Sequence, residues 1–388
     1  MPSFQFFIAA DVITPVTPND AIWQTCLPCN RNQADNSPDD AVTYCEYFEA
    51  IRLFLKKNSF RNLLAPIATQ YSSVMPDDIN AIRIIQEKHG AFYHPARLEV
   101  DIKTQCYRFA LNVAISDAGL NSINQEYAAL RYLNLTFPFH FLPEVYLKGK
   151  IAVNNGKKSI GIVMAEWLDG YDEFHLSHKP NGKSGIVVWD QKQGAWFLPE
   201  DRILELYTKA AEILTCYYNI DTFEQIFPWH HGAGDFILKA GHDDRLTVKL
   251  ITVRQYTAML DFDDGNQKSD EIQMEALLLF LLNLSIRMRL DRIDGVGDIA
   301  WANDTAVEGV LKGFFSGLAL KSVVNQVTDS FILQFHKYLA SQTESDLYES
   351  AIAIISAYHP QVPDIPVIQR NLDSHIRVLY KSVSCGGR

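Results

Sequence analysis

The stretch Pro228-Trp229-His230-His231-Gly232-Ala233-Gly234-Asp235-Phe236-Ile237-Leu238-Lys239 packs two imidazoles, two glycines and one carboxylate into a few positions. Upstream, Pro199 to Asp221 carries a helical apolar pattern. Downstream, Phe236 to Lys239 and Leu246 to Thr252 flank the turn Gly241-His242-Asp243-Asp244 and read as a hairpin. A carboxylate at a strand end can hold a divalent cation through oxygen, and an imidazole with an ordinary pKa near ~6.5 can accept a hydroxyl proton at neutral pH. The alternative reading gives His230 and His231 structural hydrogen bonds and makes Asp235 a turn cap.

Working toward the N-terminus, the pattern is mixed. Asn30 to Asp40 is rich in Asn, Asp, Ser and Pro and reads as a loop. From about Asp40 to Ala65, Tyr44, Tyr47, Phe48, Ile51, Phe54 and Leu55 recur at three- and four-residue spacing, which predicts a helix with one apolar face. Residues 1–75 therefore read as a helical N-terminal extension. A second helix is expected over Asp77 to Lys88, capped by Pro76-Asp77-Asp78 and stopped before Gly90. From Ala91 the period becomes that of strands: Ala91 to Val100 and Tyr107 to Ile115 read as an antiparallel pair. The stripe Ile123, Tyr127, Leu130, Leu133 predicts a helix over Asn121 to Leu135. Strands follow near Pro143 to Leu147 and Ile160 to Trp167, with a further one at Gly185 to Trp189. Toward the C-terminus, helices are expected over Asp270 to Leu290, Thr305 to Gly317, Lys321 to Ser341 and Thr343 to Ala357. No repeat of fixed period is present, which disfavours a solenoid.

This order of parts resembles the protein-kinase-like fold, and within it the aminoglycoside and choline phosphotransferase group. The resemblance covers about residues 85 to 340. It implies an α+β, two-lobed architecture: an extension over 1–75, a small lobe with a mixed antiparallel sheet and hinge over 76–170, and a larger helical lobe over 171–388. Three local patterns carry it besides the loop at Asp235. Arg108-Phe109-Ala110-Leu111-Asn112-Val113 is similar to the strand that bears the phosphate-holding lysine, with Asn112 at that position. Glu126 is similar to the helix glutamate that pairs with that lysine. Ile162-Val163-Met164-Ala165-Glu166-Trp167-Leu168 resembles the strand and hinge, where main-chain groups near Glu166 and Trp167 would hold an adenine.

By the resemblance, Asp235 is the metal ligand or the base, with His230 or His231 assisting, and the cofactors are ATP and Mg²⁺. Four features depart from the family pattern. The lysine is Asn112, and Thr252 or Arg254 stands where a second metal-binding acid belongs. No glycine lies between the first two strands of the small lobe, only Asp101 to Gln105. The catalytic aspartate of the loop is replaced or displaced. Asp261, Asp263 and Asp264 further on read either as a substitute for the second metal-binding acid, if the loop folds back, or as a solvated turn. The expected function is that of a divergent or inactive phosphotransferase, a pseudokinase-like protein binding a small-molecule ligand or nucleotide in the interlobe cleft, with a protein partner if it is a scaffold. The alternative is an active ATP- and Mg²⁺-dependent kinase acting on a small-molecule hydroxyl. A hydrolase with a His-His-Asp metal site has weaker support, because no further ligands occur at helical spacing.

Composition bounds these readings. The chain has 388 residues, 47% of them hydrophobic, and a net charge of -11. That charge argues against nucleic acid or anionic lipid as partners. The apolar run Ala276 to Leu282 is too short for a membrane span, no secretory signal is recognised at Met1 to Ile8, and a cytoplasmic location is expected. Cys26 and Cys29, with Cys45, lack the fourth ligand a zinc site needs. Arg287, Arg289 and Arg292 near Asp291 and Asp294 read either as an anion fork or as an internal ion-pair network.

Overall fold

In a computed structural model of the chain, all residues are described except 1, 10–11, 29–40, 69–73, 91, 191–193, 230–233, 242–244, 260–268, 360 and 386–388. Two compact units emerge: Met1–Tyr132 with Pro143–Asp169, and Leu133–Leu142 with Gly170–Arg388.

The first unit is built on β1 (Ser3–Ala9), β2 (Ile13–Val16), α1 (Tyr44–Lys56), α2 (Arg61–Ala68), β3 (Ile79–Gln86), β4 (His94–Ile102), β5 (Gln105–Ala114), α3 (Asp117–Thr136, its last turn assigned to the second unit), β6 (Val145–Val153) and β7 (Lys158–Glu166). Its seven strands run in the order β2-β1-β3-β4-β5-β7-β6. All pairings are antiparallel but β1 with β3, which is parallel. Residues 3–68, expected as a helical extension, thus supply two strands of the sheet as well as two helices. The short apolar run Phe4-Gln5-Phe6-Phe7-Ile8 gives no alternation to separate strand from helix, so only its partner β3 decides. The helix expected over Asp77 to Lys88 is the strand β3. Its cap is real: Asp78 accepts from the Met75 N–H at 2.9 Å and closes a single 3₁₀ turn. Beyond it, the β-branched Ile79, Ile82, Ile84 and Ile85 favour a pleated strand.

Helix α1 starts at a capping box in which Thr43 and Glu46 satisfy each other's backbone N–H groups. Its Tyr47, Phe48, Ile51 and Phe54 bury against Ile82, Ile84, Leu98, Val100, Leu111 and Ile162 on one face of the sheet. On the other face, Ile123 and Tyr127 of α3 pack with Ala114 and Val163. Residues directly opposite across strands share a face, so this second face also carries the row Pro95, Asn112, Val163, Lys148 and the row Arg97, Ala110, Ala165.

The second unit contains β8 (Asp172–His178), β9 (Ser184–Asp190), β10 (Gly194–Phe197), α4 (Glu200–Cys216), β11 (Glu224–Ile226), β12 (Phe236–Ala240), β13 (Leu246–Leu250), β14 (Tyr256–Ala258), α5 (Asp270–Met288), β15 (Leu290–Arg292), β16 (Ile299–Trp301), α6 (Thr305–Val323), α7 (Asp329–Ser341), α8 (Glu344–Ser356) and α9 (Ile365–Cys385). The C-terminal region carries the helices α4 to α9 and, with them, a five-stranded sheet ordered β10-β9-β8-β12-β13, of which β9 and the hairpin β12–β13 were expected and β8 and β10 were not. Strand β8 escaped notice because buried His175 and Ser177 interrupt its apolar signal. Helices α4 and α6 lie in direct backbone contact. Gly309, Gly313 and Gly317 face α4 at four-residue spacing, and a Cβ at Gly313 would fall 2.1 Å from the Thr208 carbonyl oxygen. Among the described residues no helix is long and apolar enough to cross a membrane.

Candidate functional site

The hairpin β12–β13 pairs Phe236 with Leu250 and so sets Asp235 beside Ile251, whose N–H donates to the Asp235 carbonyl at 2.7 Å. The Asp235 carboxylate is 1% exposed. Arg254, three residues past that point, folds back onto it. Its Nη2 donates to Oδ1 at 2.7 Å and its Nη1 donates to Oδ2. Nη1 also reaches the Pro228 carbonyl at 3.4 Å. A fork of two parallel N–H···O bonds is the strongest way a guanidinium holds a carboxylate, and it neutralises the charge a cation would need. Mg²⁺ does not fit this carboxylate as it stands, since a dication would be set against a guanidinium held by the same oxygens. His230 and His231 lie outside the described residues, as do Asp261, Asp263 and Asp264. No group of three or more His, Cys, Asp or Glu able to hold a metal occurs among the described residues.

The other four positions lie in the first unit. Asn112 is half-buried on β5, between Pro95 and Val163, on the face that α3 covers. Glu126 of α3 is buried at 4% exposure rather than solvated. Lys148 was not singled out by sequence. It occupies the same cross-strand row as Asn112, with Nζ 3.2 Å from the Asn124 side-chain oxygen and 5.1 Å above the Tyr127 ring. Its register follows from a β-bulge between Val145 and Leu147, a displacement no local pattern announces.

Glu166 closes β7, and its backbone N–H already donates to the Glu144 carbonyl at 2.8 Å. The Glu144 N–H returns a bond to the Glu166 carboxylate at 3.3 Å. Trp167 is covered as well: the Arg97 guanidinium lies 5.4 Å from its ring centre. Arg97 is held there by Glu87 at 3.3 Å and Glu99 at 3.5 Å. Burial pushes the Glu87 carboxyl up, against the pull of Arg97. Burial acts in the same sense on Glu99, but the hydrogen bonds from Arg83 and Arg108 prevail and hold it below its ordinary range.

The arginine cluster after α5 resolves into separate internal bonds. Arg287 donates to Asp364 at 2.8 Å, Arg289 to Asp304 at 2.9 Å and to the Ala302 carbonyl at 2.8 Å, and Arg292 to the Gly297 carbonyl at 3.1 Å. Helix α5 stops at Met288, so the shared helical face expected for Arg289 and Arg292 does not exist.

No protein family and no curated protein matches the chain. Among solved structures it is similar to WaaP in complex with acyl carrier protein, at 11% identity, covering 74% of this chain and 96% of that one with a TM-score of 0.28. It is also similar to the PAN3 pseudokinase of Drosophila melanogaster, at 10% identity, covering 81% and 70% with a TM-score of 0.29. A crystallised kinase domain shares 12% identity over 80% of this chain and 89% of its own, with a TM-score of 0.27.

Proposed function

We propose that this chain is a kinase-like protein that has lost phosphoryl transfer and acts by binding, as a pseudokinase-like ligand or partner module. The observation that carries the reading is the two-bond pair of Asp235 with Arg254. On the family pattern the position near Arg254 supplies a second acid to the metal; here it supplies a cation that neutralises the first. Three more features support the same reading: Asn112 carries no charge for a phosphate, the Glu166 N–H is bonded within its own unit, and Arg97 covers the face of Trp167. A second reading, active phosphotransfer to a small-molecule hydroxyl with ATP and Mg²⁺, is favoured by Lys148, a cation in the row of Asn112.

Thermal unfolding with ATP, with and without Mg²⁺, separates the two, because a ligand that binds only the folded state raises its apparent stability by mass action. No Mg²⁺-dependent rise at millimolar nucleotide is expected. A rise that needs Mg²⁺ and is abolished by both Asp235→Asn and Lys148→Ala would overturn the inactive reading.

A further inference from the structure

Between β3 and β4 the chain makes a tight return that sequence reading passed over. The Gly90 N–H donates to the Tyr93 carbonyl at 3.1 Å, and a Cβ at Gly90 would sit 2.6 Å from that oxygen, so the closure needs glycine. The return sets His89 beside His94, the first residue of β4, with their Nδ1 atoms 2.9 Å apart and their rings at 72°. His94 is 3% exposed, and His89 lies at the surface. Helix α1 holds the pair from one side. The Tyr44 hydroxyl is 3.3 Å from His89 Nε2, and the Tyr47 hydroxyl donates to the His94 carbonyl at 3.0 Å.

Two ring nitrogens this close require one to offer a lone pair and the other a proton, or both lone pairs to meet a common cation. Nitrogens bound to one metal at about 2.0–2.1 Å lie about 2.9–3.4 Å apart, between right-angle and tetrahedral geometry. The observed separation falls within that span. A ligating imidazole also needs its other nitrogen held by an outer partner, and the Tyr44 hydroxyl, 3.3 Å from His89 Nε2, stands where it would accept that N–H once Nδ1 binds metal.

We propose that His89 and His94 form a two-imidazole site for one divalent transition-metal ion of the Zn²⁺, Ni²⁺ or Cu²⁺ kind, which clips the β3–β4 return. Imidazole donors suit these ions over Mg²⁺ or Ca²⁺. Among the described residues no third protein ligand joins the pair, so water completes the shell. On binding, the proton between the two Nδ1 atoms moves to the far nitrogen of its own ring, and both imidazoles stay neutral.

The test uses the full chain without an affinity tag, titrated with ZnCl₂ and NiCl₂ by calorimetry and thermal unfolding. One equivalent should bind, with the thermal midpoint rising and then levelling off. His89→Ala, at the exposed member, should fold as the parent does and lose both signals. Copper bound by the parent chain should show two nitrogen couplings in its electron paramagnetic resonance spectrum, falling to one in His89→Ala. No saturable uptake up to about 1 mM metal, or uptake unchanged in His89→Ala, overturns the site and leaves a proton-sharing pair.

Discussion

Two clusters of arginine and carboxylate, one in each unit, are built on opposite plans. In the second unit the Asp235 carboxylate, 1% exposed, is bound at both oxygens by the Arg254 guanidinium. In the first unit Arg83, Arg97 and Arg108 share Glu87, Glu99, Asp101 and Asp169 across β3, β4 and β5. Glu99 alone touches all three arginines, and exposure in this ladder runs from 14% at Glu87 to 69% at Asp169. The first plan is a lock, in which the burial of the carboxylate is tolerable because a part-exposed guanidinium is bonded to both its oxygens. The second is redundant and half-solvated, so any member can leave and its partners find another charge or water. Only the lock carries a large energetic stake.

The largest expected effect is therefore at Arg254. Arg254→Ala leaves a buried carboxylate without its guanidinium and should destabilise the fold by about 3 kcal/mol, the lower end for broken buried pairs because the Arg254 side chain is 30% exposed. Asp235→Ala should be milder, about 1–2 kcal/mol, since the remaining cation can reach water. Urea unfolding midpoints measure both. Equal losses, or a loss below about 1 kcal/mol for Arg254→Ala, would break the idea of an asymmetric lock.

Acid titration sharpens the contrast at an intermediate scale. Burial, with a contribution from the Arg289 charge, pulls His375 down to about 3, and burial with the neighbouring His89 pulls His94 down to about 4. Each is neutral in the fold and protonated on unfolding below about 6.5, so the unfolded state binds more protons and stability falls as pH drops. The loss runs from about pH 6.5 down to the folded pKa of each histidine, at up to about 1.4 kcal/mol per pH unit per group. The ladder acts later: Arg83 holds Asp101 low, and Glu99 is also held low, so their contribution persists above the ordinary carboxylate range and is lost only below it. Unfolding free energies at pH 7, 5.5 and 4.5 should fall steadily in the parent chain, with a shallower slope in His375→Asn. A flat profile over this range would remove the buried neutral histidines from the account.

Much of the first unit was legible from period alone. The hairpin β4–β5 and helix α3 follow alternation and a clean apolar stripe, and α1 follows its i, i+3, i+4 spacing. Strand β3 was hidden by a genuine Asp78 turn that imitates a helix start, and β1 by a run of aromatics without period. In the second unit the hairpin around Asp235 was readable, but α9 and β8 were not. Strand β8 carries a buried histidine whose neighbour lies on β15: His175 Nδ1 is 3.6 Å from the Asp291 carboxylate, which also accepts from the Leu176 N–H at 2.6 Å. The candidate site was legible as a departure from pattern. Arg254 was visible as a cation where an acid was expected, yet its bond to Asp235 depends on a backbone return that spacing does not encode. Arg97 on Trp167 was invisible for a related reason, since 70 positions of sequence separate them and two strand pairings are needed to align Arg97 with Ala165, two residues before Trp167.

The smallest effect distinguishes the two plans most cleanly, through salt. Arg83→Ala removes the bonds to Glu99 at 2.9 Å and to Asp101 at 2.8 Å, but Glu99 keeps Arg108 at 3.3 Å and Arg97 at 3.5 Å. The expected loss is about 0.5–1 kcal/mol at low ionic strength, as for a partly exposed pair. In 1 M salt, where screening acts over about 3 Å, most of that difference should vanish. The loss in Arg254→Ala should survive the same salt, because the Asp235 carboxylate lies beyond the reach of counterions. Paired unfolding curves of both variants at low and high NaCl measure this directly. A salt-insensitive loss above about 2 kcal/mol for Arg83→Ala would mean that the ladder is a lock too, and that its exposed charges are held as rigidly as the buried pair.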